Sequence, residues 1–153
     1  MHCNALTICQ PYAELIVRGK KRVENRSRRI SYYRSLLIHA GKSRTWMEPG
    51  DAKRYPEMAF GALVGFCWAG PCYSLAEIAR GDVLEDLRWV RKHAHTEGPF
   101  CLVLRNVRRF VEPIPYTGQR GLFRVEITEV LERAMRGAQP VEPQANGPAQ
   151  LGV

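Results

Sequence analysis

Apolar positions along the chain change their spacing several times, and each change marks an element. Asn4 to Cys9 is a short mixed apolar segment leading into a first helix. In that helix Pro11 takes the first helical position and Tyr12 to Val17 continues it. Gly19 supplies the left-handed stop. Lys20 to Arg26 alternates around Val23 and reads as a polar strand, and Ser35 to Ala40 as a buried one. Phe60 to Trp68 is the strongest strand, with Gly61, Ala62 and Gly65 indicating close packing or strong curvature.

Ser74 opens a helical stretch with Leu75 and Ile78 three apart, and Gly81 interrupts it. Asp82 then caps a second piece carrying Leu84, Leu87 and Val90. Phe100 to Val111 suggests a strand pair with a turn or bulge near Arg105-Asn106, followed by an extended loop through Pro113, Pro115 and Gly118. Leu122 to Ile127 is a strand or short helix, and Thr128 to Arg136 is helical. Strands that do not alternate regularly with helices predict an α+β domain, a small mixed sheet or barrel flanked by helices. Residues 1–136 form this domain. Residues 137–153, rich in Gly, Pro, Gln and Ala, read as a flexible tail.

The chain has 153 residues, 45% apolar and 25% charged, which suits one folded domain and excludes general disorder. No apolar run approaches the roughly eighteen residues of a membrane span. The opening MHCNALTICQ has no secretory pattern, so a cytoplasmic protein without a membrane partner is expected. Cys3, Cys9, Cys67, Cys72 and Cys101 are odd in number and lack metal or redox spacing, and they fit reduced structural thiols. His93 and His95 have no third ligand nearby, so no metal is expected. No phosphate-loop or dinucleotide fingerprint is present, and no cofactor is expected.

Charge adds more. Lys and Arg number 23 against 15 acidic residues, a net +8. Twelve of those basic residues lie between Arg18 and Arg54, with only Glu24, Glu48 and Asp51 opposing them. Such focused charge fits a polyanionic partner, RNA or another nucleic acid, against the plainer alternative of a solvated face.

Several anchors then occur in order. They are Leu6-Thr7-Ile8-Cys9-Gln10-Pro11-Tyr12-Ala13, Gly19-Lys20-Lys21 with Val23-Glu24-Asn25-Arg26, Tyr33-Arg34, and Leu37-Ile38-His39-Ala40. Further on come Gly61-Ala62-Leu63-Val64-Gly65, Gly98-Pro99-Phe100-Cys101, and Pro113, Pro115 and Gly118 before Gly121-Leu122-Phe123. Together, across residues 5–125, they resemble the ASCH domain (activating signal cointegrator homology). The resemblance implies a PUA-like β-barrel with a cleft beside it and binding of RNA or a modified nucleoside. Some small bacterial members are amidohydrolases acting on N4-acetylcytidine, and another branch is a ribonuclease.

On this resemblance Lys21 lies at the family's motif lysine. Crowded by Lys20, Arg22 and Arg26 in a partly closed site, a lysine is disfavoured as ammonium and can act as a general base. The plainer alternative is a helix C-terminal lysine or a phosphate clamp. Glu24 stands where the amidohydrolase branch has a threonine and cannot supply that hydroxyl. It can hold a water or pair with Arg26. Glu97, ahead of Glu77, is the candidate second carboxylate.

Gln10, Tyr12, Asn25, Arg26 and His39 complete the candidate ligand set, by edge pairing or stacking. Tyr12 also reads as a core aromatic, and a lone His at the end of a buried strand, as at His39, is more often a satisfied structural group. Lys20, Arg22, Arg28, Arg29, Arg34, Lys42, Arg44, Lys53 and Arg54 are candidate backbone contacts, interleaved with the aromatics Tyr32, Tyr33 and Trp46. Three functions follow: nucleic-acid or modified-nucleotide binding first, then a hydrolase using Lys21 and a carboxylate, then a protein-recruiting adaptor. The oligomeric state is left open.

Overall fold

The computed structural model describes residues 1–144. One seven-stranded sheet organises the chain: β1 (His2–Ile8), β2 (Val23–Arg26), β3 (Arg34–Ala40), β4 (Ala62–Ser74), β5 (Phe100–Pro115), β6 (Leu122–Glu126) and β7 (Gln139–Pro140). Its order is β2-β5-β4-β3-β1-β6, with β7 pairing β5. Among the described residues only β1 and β3 run parallel. Helices α1 (Tyr12–Val17), α2 (Asp51–Arg54), α3 (Leu75–Arg80) and α4 (Glu129–Gly137) and a 3-10 helix (Glu85–Lys92) flank it. The α+β expectation stands. The hydrogen-bonded path runs from β2 to β6 without closing, so the barrel is an open sheet.

The apolar run of β3 is continuous because both faces are covered. Leu36 and Ile38 join Leu6, Ile16, Leu102 and Leu104 under α1. Leu37 turns the other way, to Leu63, Phe110, Phe123 and Leu131 of α4. A third cluster, Val23, Ile78, Leu87, Val90 and Val103, is covered by α3 and the 3-10 helix. Leu87 and Val90 are three apart, a spacing that keeps both on one side of a 3-10 turn. Asp82, expected to cap this piece, pairs instead with Arg80 at 2.9 Å. Ser74 does cap α3, in a reciprocal box with Glu77.

Some expectations are corrected or sharpened. The segment from Asn4 to Ile8 belongs to a strand, since β1 finds partners on both edges, β3 and β6. The polar strand begins only at Val23, because the turn after α1 occupies Lys20 and Lys21, whose amides both donate to Leu15 O (2.9 and 3.1 Å). Of the turn or bulge expected near Arg105-Asn106 the structure has the bulge, Asn106 taking φ 51°, but in place of a strand pair and loop β5 is one strand that runs through Pro113 to Pro115. The expected tail begins with anchored chain: β7 pairs Arg108 and Arg109, Val141 N donates to Val107 O, and Gln144 N donates to Gly19 O. The rest of that expected tail, 145–153, lies outside the described residues.

Gly19 carries two constraints at once. It sits at φ +76°, and a Cβ there would lie 2.2 Å from Glu142 O. Gly81 sits at φ +79° with nothing within 4 Å. Gly19→Ala is therefore expected to lower stability by about 2–4 kcal/mol, and Gly81→Ala by about 1 kcal/mol. Urea midpoints compared at unchanged m-value check this.

Candidate functional site

A cleft of about 350 Å³ opens where β2 comes nearest to β1 across the unclosed sheet. The end of β1 and the turn after it contribute Thr7, Ile8 and Cys9, and α1 contributes Tyr12. Lys21, Glu24, Asn25 and Arg26 follow from β2 and its lead-in, with Trp46, His95 and Glu97 completing the wall.

Because β2 starts only at Val23, Lys21 is not held to the strand's alternation. Its Nζ reaches back, donating to Val23 O and, at 2.9 Å, to Glu24 Oε1. Glu24 Oε2 accepts from Arg26 at 2.9 Å, and the same Arg26 nitrogen donates to Thr7 O at 3.1 Å. The three side chains are 4%, 10% and 27% exposed, so a nearly buried carboxylate lies between two cations. Lys21 thus touches a carboxylate and a carbonyl, not the basic neighbours expected to crowd it. The row carries a net single positive charge and ties β2 to β1 where no strand pairing does. Arg26 Nε is buried with no acceptor among the described residues.

Tyr12 both packs on the core and lines the cleft. Its ring packs against the main core and lies 5.8 Å from Lys21 Nζ. Burial pushes its hydroxyl pKa up, helped by the Glu97, Glu48, Asp51 and Glu24 carboxylates. Asn25 lines the cleft with its amide committed: Nδ2 donates to His95 O (2.7 Å), and Oδ1 accepts from Glu97 N (3.0 Å) and Gly98 N (2.8 Å). It fastens the loop that carries His95 and Glu97. Burial, then Lys21 and His93, lower the His95 pKa to about 4.

Other expected site residues lie elsewhere. Gln10 is fully buried, its amide donating to Ala59 O at 2.7 Å and accepting from Glu14 N at 2.9 Å. His39 is buried behind the cleft, between Thr7 Oγ1 (3.0 Å) and Tyr116 O (2.7 Å). Glu77 is taken up with Ser74 and Arg29, and Arg29 holds its carboxyl near 2. Among the described residues no three His, Cys, Asp or Glu side chains gather to hold a metal.

The basic segment spreads over several surfaces. Lys20 reaches the Tyr55 hydroxyl, Arg22 stacks on Trp89 at 3.7 Å, and Arg29 donates to Cys72 O. Arg34 approaches Tyr32, and Arg44 lies over Phe60 at 4.0 Å. Arg28, Lys53 and Arg54 are exposed, and Lys42 lines a neighbouring hollow. None of these nine lines the cleft, whose own cations are Lys21 and Arg26.

Thr7, Cys9 and His95 were not among the expected site residues. Thr7 was legible in principle, as the polar position alternating with buried Leu6 and Ile8.

The ASCH domain family model matches residues 6–142. The chain belongs to the ASCH domain family. That family is PUA-like and is associated with RNA binding. The chain is similar to the crystal structure of ASCH from Zymomonas mobilis, at 16% identity and TM-score 0.47, covering 91% of this chain and 97% of that one. A mutant of the same protein aligns at 15% identity and TM-score 0.49, covering 89% and 98%. No curated protein matches. In this ASCH domain no helix among the described residues is long and apolar enough to cross a membrane.

His95 makes a pH prediction. Its folded pKa is below the ordinary 6.5, so between about 6.5 and 4 the unfolded chain binds the extra proton. The stability this contributes is present above pH 6.5 and is lost as pH falls towards 4. His95→Gln should flatten the fall in melting temperature between pH 7 and 5, measured beside the parent chain.

Proposed function

We propose that this ASCH domain binds single-stranded RNA, seating one base or modified base in the cleft. The observation that carries this is the Lys21–Glu24–Arg26 row inside a cleft walled by Tyr12 and Trp46. A base offers flat faces and a polar edge, and single-stranded RNA is read by stacking on aromatics and by hydrogen bonds to that edge. Trp46, 59% exposed, and Tyr12 offer stacking surfaces, while the row offers donors beside an acceptor. The basic residues around the molecule add attraction for phosphates without marking one strand path.

Anisotropy titration of a short fluorescent single-stranded RNA tests this at two salt concentrations. Binding should weaken as salt rises. Trp46→Ala should cost about 1–3 kcal/mol, the worth of one stacked base. Charge reversal at exposed Arg28 and Lys53 should weaken binding across sequences and reduce the salt slope. Binding indifferent to salt and to Trp46 would contradict the proposal.

The direct Lys21–Glu24 contact in the cleft favours a second function, hydrolysis of an acylated pyrimidine nucleoside or an RNA phosphodiester. It requires turnover that Lys21→Ala abolishes in a folded protein. Recovery of intact RNA and of intact N4-acetylcytidine after prolonged incubation would remove it.

A further inference from the structure

Beside the cleft lies a second hollow of about 590 Å³ that shares Thr7 and Arg26 with it. Its character is opposite. Glu24 and Glu97 line the cleft, whereas no carboxylate lines the hollow, which carries Arg26, Lys42 and Arg120. Lys42 and Arg120 are exposed and enter no ion pair or hydrogen bond among the described residues. Arg26 stands at the junction with its buried Nε–H unpartnered.

The walls are built so that backbone can approach closely. Gly41, Gly61, Gly118 and Gly121 all line the hollow. A Cβ on Gly118 would strike the His39 ring at 2.4 Å and Thr7 Oγ1 at 2.6 Å. Glycine there lets the 117–121 loop rest on the Thr7–His39 pair. A Cβ on Gly61 would meet the Lys42 stem at 2.9 Å.

We propose that this hollow is a phosphate subsite: it takes a phosphate monoester or diester attached to the base seated in the cleft, held by Lys42, Arg120 and the shared Arg26. The assignment rests on the base-binding proposal above. The two sites divide the ligand by charge, because a phosphate is repelled by the cleft's carboxylates and attracted where only cations stand. The ligand is therefore a phosphorylated nucleotide unit, free or within a strand, rather than a bare nucleoside.

Amide-shift NMR titrations of the full chain with cytidine, cytidine 5′-monophosphate, the dinucleotide CpC and inorganic phosphate test it. A phosphorylated probe should bind at least about tenfold tighter than cytidine, as expected for charge-assisted hydrogen bonds. It should also shift the Gly118 and Gly121 amides. In the Lys42→Gln/Arg120→Gln double variant the gain should fall below about twofold. A gain for CpC alone assigns the hollow to a strand phosphate, and a gain for the monophosphate as well assigns it to either source. Equal binding of cytidine and both phosphorylated probes overturns the subsite and leaves base binding intact. So does a gain that survives the double variant. Phosphate shifting the glycine amides, with cytidine silent, keeps the hollow and removes the base proposal. Silence from every probe removes both.

Discussion

A nearly buried carboxylate between two cations holds this molecule's open sheet together at its gap. Glu24 alone in that position would lose much of its hydration, and Lys21 and Arg26 offset the loss at 2.9 Å on either side. Arg26 then passes the connection to Thr7 O across a gap that no strand pairing bridges. Removing Glu24 leaves Lys21 buried without its counter-charge, whereas removing either cation leaves Glu24 with a single partner. The row therefore both holds β2 in place and supplies the polar groups of the cleft.

The rest of the site is arranged around that strand. Val23 enters the cluster beneath the 3-10 helix, and Asn25 fastens the His95–Gly98 loop, which brings His95 and Glu97 to the cleft wall. Tyr12 comes from α1, whose end at Gly19 also frees Lys21 from strand geometry. Gly19 in turn receives Gln144, so the C-terminal segment braces the turn on which Lys21 depends. Carboxylates, Glu24 and Glu97, stand on the cleft side of Arg26, and none lines the hollow on its other side.

Much of this is written locally and some of it is not. The helix stop at Gly19, the Ser74 cap and the buried β3 are legible because neighbouring residues determine them. The Glu24–Arg26 pair is legible because strand alternation puts both on one face, whereas the Lys21 contact is not, since alternation puts Lys21 on the other face and only the turn onto Leu15 O corrects it. The roles of Asn25, Gln10 and His39 depend on partners 49 to 77 residues away, a distance that no periodicity encodes. Charge density along the sequence carries no direction, because Arg22 and Arg29 are turned to Trp89 and Glu77 by tertiary contacts.

The tryptophans offer the most direct measurement. Trp46 lies in the cleft wall and Trp89 in a separate hollow under Arg22. Their indole N–H signals can be followed by ¹H–¹⁵N NMR while a short single-stranded RNA is added. A base seated over the Lys21–Glu24–Arg26 row should move the Trp46 signal and leave Trp89 in place. Movement of Trp89 with Trp46 unchanged would put the RNA on another face and contradict the account.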